Sequence, residues 1–132
     1  MIFVDTGAWF AAVVPGDANF AVAMTWRTRN TIQLVTTDYI IDETLTLLRA
    51  RGEFGRALRL GDDLFSERFA EIEWLSPTDV TEAWHVLRHF RDKAWSFTDC
   101  TSYVVMKRLK IKTAFAFDDH FRQFGFVRVV PA

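Results

Sequence analysis

Residues 2–9, IFVDTGAW, run from three strongly apolar side chains straight into a carboxylate. Ile2, Phe3 and Val4 read as a short buried strand, and Asp5 ends it. An unpaired ionised carboxylate is costly to bury, so something must offset that cost. A divalent metal ion would do so, shared with acidic residues far away in the chain.

Outward from this stretch the chain alternates. Residues 7–13 and 18–29 read as helical, broken at Pro15-Gly16, and IQLV (32–35) is a second strand. A helix capped by Thr37 or Asp38 carries apolar residues at 41, 44/45 and 48 and closes at Gly52. Residues 54–68 continue as another helix, with Leu58, Leu64 and Phe65 on one side. AEIEWL (70–75) alternates polar and apolar, so it is a third strand. Pro77 opens a helix over 77–91, where its missing N–H does no harm; Val80, Trp84 and Leu87 mark its buried face. Residues 96–109 form a helix capped by Ser96 or Thr98. KTAFAF (112–117) is a fourth strand, DDHFRQF a short helical turn and VRVV (127–130) a final strand. This order is that of an α/β domain with a parallel sheet flanked by helices. With no repeat, low-complexity tract or linker, residues 1–132 read as one domain.

Composition narrows the function. The 132 residues are half hydrophobic and carry a formal net charge of −1, which argues against gripping nucleic acid through overall charge but allows a local basic patch. Phe and Trp are abundant, at 13 and 5, and part of this surplus is expected in a subunit interface. The single cysteine, Cys100, rules out an intramolecular disulfide and a cysteine zinc cage. With no basic leader segment and no apolar stretch long enough to span a bilayer, a cytoplasmic protein without membrane association is expected.

Ligands of open α/β sheets bind beyond the carboxyl ends of the strands. Asp5 and Asp118 sit at such ends. Glu43, in the first turns of the helix after the second strand, and Asp99, in the first turn of the helix before the fourth, reach toward the same rim. Ile40 and Leu47 flank Glu43 on an apolar face, so its side chain leans inward while Asp42 faces solvent. Two unit charges 4 Å apart cost about 4 kcal/mol at an effective dielectric near 20. Shared protons or a hard cation relieve that repulsion, and oxygen-only ligands suit Mg²⁺ or Mn²⁺. Structural readings stand beside these. Ser96-x-x-Asp99 has capping-box spacing, Asp118 can cap the turn after it, and Glu43 can be a partly exposed helix acid.

FVDTGAW, DYIIDETLTLLR, SFTDCTSYVVMKRL and AFAFDDHF together resemble the four acidic blocks of PIN-domain nucleases, and most closely those of VapC-type toxins of toxin–antitoxin pairs. No one block is specific; the four in order are. The resemblance implies a three-layer α/β/α sandwich with a mostly parallel central sheet of four to five strands. It implies a metal-dependent endoribonuclease in which Asp5, Glu43, Asp99 and Asp118 hold Mg²⁺ or Mn²⁺, supported by Thr6 and Thr98. It further implies a homodimer, a small antitoxin partner, and products with a 5′-phosphate and a 3′-hydroxyl. Within DDHF, Asp118 matches the fourth block best; Asp119 is the alternative donor.

The densest basic stretch, RARGEFGRALR, brings Arg49, Arg51, Arg56 and Arg59 as candidate RNA or antitoxin contacts, or simply as a solvated helix tip. KRLKIK (107–112) lies a helix length from Asp99 and reads as surface or as compensation of the helix dipole. His85 and His89 have the spacing of a zinc pair but lie off the apolar face and lack a glutamate between them. His120 touches substrate or packs against the rim, and Cys100 is a small buried residue.

Rival classes fit less well. A haloacid-dehalogenase-type phosphotransferase wants an aspartate where Gly7 stands. A receiver domain wants an acidic pair at 5–6 and a lysine in the tail. An RNA-processing nuclease of the same fold, or a non-catalytic RNA- or partner-binding module, remains the alternative. Four intact acids argue against the latter.

Overall fold

A computed structural model describes all residues, 1–132. Strand β1 (Ile2–Val4) is wholly buried, as a strand covered on both faces must be. It pairs in parallel with β2 (Leu34–Thr37) on one side and β4 (Thr113–Phe115) on the other. β3 (Glu71–Glu73) and β5 (Arg128–Val130) extend the two edges, giving the all-parallel order β3-β2-β1-β4-β5. Seven helices form the outer layers of the α/β/α sandwich: α1 (Thr6–Val13), α2 (Phe20–Arg29), α3 (Asp38–Ala50), α4 (Phe54–Phe65), α5 (Pro77–His89), α6 (Phe97–Leu109) and α7 (His120–Gln123). The strand order reverses between β1 and β4, and the crevice at such a switch point is where this architecture binds ligands. Phe3, Trp9, Phe115 and Phe121 are fully buried around the central strands. The Trp9 indole N–H donates to Thr36 Oγ1 at 3.3 Å, which satisfies its one polar atom inside the core. No helix is long and apolar enough to cross a membrane.

Every expected element is present, with corrections at its edges. β2 begins at Leu34, two residues later than the sequence suggests. The Asn30 side chain donates to the Ile32 carbonyl at 2.8 Å and accepts its amide at 3.2 Å, so Ile32 is held in a turn and cannot join the ladder. β4 is three residues long, and Ala116 and Phe117 separate it from Asp118.

Two helix faces also differ. α4 buries Ala57, Leu60, Gly61 and Leu64, while Leu58 and Phe65 stand outward. Gly61 faces Leu45 of α3, where a methyl group would meet Leu45 Cδ2 at 3.7 Å, an ordinary contact. α5 turns Asp79 and Ala83 inward and leaves Trp84 half exposed.

The basic run at the end of α6 is not merely solvated. Arg108 grips Asp79 through Nε and Nη2, each at 2.9 Å, and Glu73 through Nη1 at 2.9 Å. It thereby ties α6 to α5 and β3.

Candidate active site

Asp5 leaves β1 and becomes the residue that caps α1, but only with its backbone. Its carbonyl accepts the amides of Ala8 and Trp9, both at 3.1 Å, while its carboxylate makes no capping bond. The side chain is therefore buried, at 3% exposure, without the structural task an acid usually has at a helix start. Beside it, Thr6 Oγ1 is buried with no hydrogen-bond partner.

Three other elements bring acids to this place. Thr37 accepts the Ile40 amide at 3.1 Å and starts α3, whose next turn carries Glu43 inward and Asp42 outward. Ser96 Oγ accepts the Asp99 amide at 3.0 Å and Asp99 Oδ2 accepts the Ser96 amide at 2.9 Å, a reciprocal capping box that starts α6. Beyond β4, Asp118 Oδ1 accepts the His120 amide at 3.0 Å and so turns the chain into α7. The capping box foreseen for Asp99 is thus present, whereas Asp118 does not cap α7, whose N-cap position is Asp119, but holds the turn just before it. Both roles coexist with the clustering, because Asp99 Oδ1 and Asp118 Oδ2 make no hydrogen bond within the protein.

Asp5, Glu43, Asp99 and Asp118 line one cleft of about 290 Å³, together with Thr6, Gly7, Ser96 and His120. Asp99, Asp118 and His120 each offer a ligand atom within 4.8 Å of the others. His120 Nδ1 is already engaged, 2.7 Å from Asp99 Oδ2.

The electrostatics follow from this crowding. Burial, then the charges of Asp118, Asp99 and Glu43, drive the Asp5 carboxyl well above the usual carboxylate range, against the Thr6 amide. Burial also raises Asp99, though the Ser96 amide and His120 oppose it. Asp99 and Asp118 lie close enough to share one ion, and the carboxylates of Asp5 and Glu43 and the unsatisfied Thr6 hydroxyl line the same cleft, an oxygen-rich chemistry that suits a hard divalent cation. The neighbouring Cys100 thiol is no competitor, since burial and Asp99 push it up to about 11.

Other expected residues fall elsewhere. Thr98 does not line the cleft; its carbonyl accepts the hydroxyls of Thr101 and Ser102. Asp119 is exposed and pairs with Arg122 at 3.2 Å. Arg56 pairs with Glu53 at 2.6 Å, Arg49 lies over the Phe54 ring at 4.5 Å, and Arg59 is exposed. Arg51 alone of the four borders a cleft next to the acids. His85 and His89 are both exposed. The link from His120 to Asp99, 21 residues apart, is not legible in the sequence, where the only sign of it is a histidine two positions after Asp118.

A PIN-domain family model matches residues 2–127, and the chain belongs to the PIN-domain family, a family of metal-dependent nucleases. Among curated proteins it is 33% identical over 132 residues to the 23S rRNA-specific endonuclease VapC20 of Mycobacterium tuberculosis, in strains H37Rv and CDC 1551, covering 99% of each chain. The crystal structure of M. tuberculosis VapC20, described as a toxin that cleaves the sarcin–ricin loop, matches with a TM-score of 0.90 at 30% identity over 96% of this chain and 97% of that one.

Proposed function

We propose that this protein is a Mg²⁺- or Mn²⁺-dependent endoribonuclease, the toxin of a toxin–antitoxin pair, and that it hydrolyses RNA phosphodiester bonds at the acidic cleft. One observation carries the proposal. Acids from four separate parts of the chain line a single cleft at the strand-order reversal, and burial together with the other three charges forces the Asp5 carboxyl upward. The similarity to a 23S rRNA-specific endonuclease over nearly the full length of both chains supports the same reading. It also makes large-subunit ribosomal RNA the first substrate to test.

In this reading Asp5, Asp99, Asp118 and Glu43 hold the cation. When bound, such an ion neutralises phosphate charge and acidifies water. The chain supplies the rest. The Ser96 amide and His120 fix the Asp99 carboxylate, and Thr6 Oγ1 offers its hydroxyl to whatever oxygen enters beside Asp5. Glu43 would complete the cation site or, alternatively, orient the attacking water. Phe65 and Trp74, each more than half exposed and 6.5 Å apart, supply apolar surface of the kind that protein partners cover. This supports association with a second copy or a small antitoxin.

Purified protein and end-labelled ribosomal RNA test the proposal. Cleavage abolished by chelator and by Asp5→Asn is expected; undiminished cutting in either case would overturn it.

A further inference from the structure

We infer that the cleft beside the acidic site is a nucleotide subsite, seating one unstacked base of the RNA next to the scissile phosphate and holding an adjacent phosphate on Arg51. The inference rests on the nuclease reading and deepens it. This second cleft, about 330 Å³, shares Gly7 and Asp118 with the acidic cleft, so the two adjoin. Gly7 stands at the junction. A methyl group built there would meet Asp5 Oδ2 at 3.8 Å, an ordinary contact, so this position lies directly beside the acid.

The walls and the rim differ in chemistry. Phe10 from α1, Leu47 from α3 and Phe117 after β4 supply apolar surface. Phe117 is braced edge-on by Phe115, with ring centroids 5.8 Å apart. The rim is polar. Asp17 Oδ1 accepts the Asn19 backbone amide at 2.8 Å, which fixes the α1–α2 connection and leaves the Asn19 side chain without a protein partner. Arg51, just past α3, makes no ion pair or hydrogen bond through its guanidinium, whereas Arg49 and Arg56 are both engaged.

Aromatic and aliphatic walls accept a base face. A free amide can donate to and accept from a base edge, and an unpaired guanidinium matches a phosphate. Sequence-specific proteins read single-stranded RNA through such sets. A purely apolar protein segment would leave Asn19 and Arg51 unused, and the direct opening onto the acids favours RNA.

The test combines binding and cleavage by the full chain. Affinity for a short labelled single-stranded RNA is measured in chelator across a salt series. Cut sites on ribosomal RNA are then mapped by sequencing RNA ends with Mg²⁺ present. Arg51→Met is expected to flatten the salt dependence by about 0.7 in slope, the share of one single-strand phosphate contact. Arg91→Met, at an exposed position that lines neither cleft, leaves the slope unchanged. Phe117→Leu is expected to weaken binding by about tenfold through lost stacking, and Asn19→Ala to relax the base preference at one position beside the cut. If the wild type cuts RNA while Arg51→Met keeps its salt slope and Asn19→Ala keeps its cut sites, the subsite is wrong and the nuclease reading stands. If the wild type cuts no RNA, the nuclease reading falls and the subsite with it.

Discussion

His120 Nδ1 lies 2.7 Å from Asp99 Oδ2, the same oxygen that receives the Ser96 amide at 2.9 Å. The carboxylate is held from two sides, and groups that orient a ligating carboxylate are worth on the order of 10–100-fold in metal affinity. His120→Ala should therefore raise the Mg²⁺ concentration for half-maximal RNA cleavage by about that factor, with activity recovered in excess metal. His120→Asn, which keeps a donor near the same place, should stay close to wild type. A cleavage assay across a Mg²⁺ series reads both.

Crowded acids strain the metal-free fold. The Asp5 carboxyl is raised above its ordinary value of 3.8, so the folded chain retains a proton that the unfolded chain has released. Stability is then fully present below that value and declines as pH rises toward the raised one. Asp5→Asn removes the penalty. In chelator near neutral pH its Tm should exceed the wild type's by a few degrees, the effect of about 1 kcal/mol in a chain of this size. The difference should vanish in acid. Thermal melts at several pH values check the sign.

Asp79 behaves in the opposite sense. Burial alone would raise its carboxyl, but the hydrogen bonds from Arg108 and Ser76 outweigh it and hold the group below the usual range. Its contribution to stability is present above the unfolded value of 3.8 and is lost as pH falls from there through the depressed folded value. Arg108→Met strands a carboxylate that is 3% exposed. About 2 kcal/mol of destabilisation is expected near neutral pH, discounted for the partly exposed arginine. Urea unfolding should show the gap between variant and wild type narrowing below about pH 3.8.

What the sequence displayed depended on the kind of signal. Apolar runs ended by carboxylates mark β1 and β4, and the contrast between strand and helix periods separates most of the other elements, helped by turn residues at Pro15-Gly16, Gly52 and Pro77. Helix faces were harder. The inner face of α4 is Ala57, Leu60, Gly61 and Leu64, and alanine and glycine hardly register in a pattern keyed to large apolar residues, so Leu58 and Phe65 drew attention instead. Ser76-x-x-Asp79 repeats the spacing of Ser96-x-x-Asp99, and both are capping boxes, but spacing alone does not distinguish a cap from a partner of a distant arginine. In the candidate site, the four acids could be read from strand ends and helix faces. The links of His120 to Asp99 and of Arg108 to Asp79 span 21 and 29 residues and belong to tertiary packing alone.

Lys110 ends α6 in the left-handed region, with φ 58° and ψ 36°. A side chain there costs roughly 1 kcal/mol relative to glycine. Lys110→Gly should stabilise the protein by about that amount in urea unfolding, while RNA cleavage, whose groups lie at the other end of the helix, stays unchanged.

The most direct measurement of the acidic cleft is a Mn²⁺ titration of RNA-free protein, with unbound ion followed by electron paramagnetic resonance. The wild type is set beside Asp5→Asn, Asp99→Asn and Asp118→Asn. Saturable binding by the wild type is expected, weakened at least about tenfold in each variant. A wild-type chain that takes up no Mn²⁺, or variants that bind it as tightly, would contradict a cation held by these carboxylates.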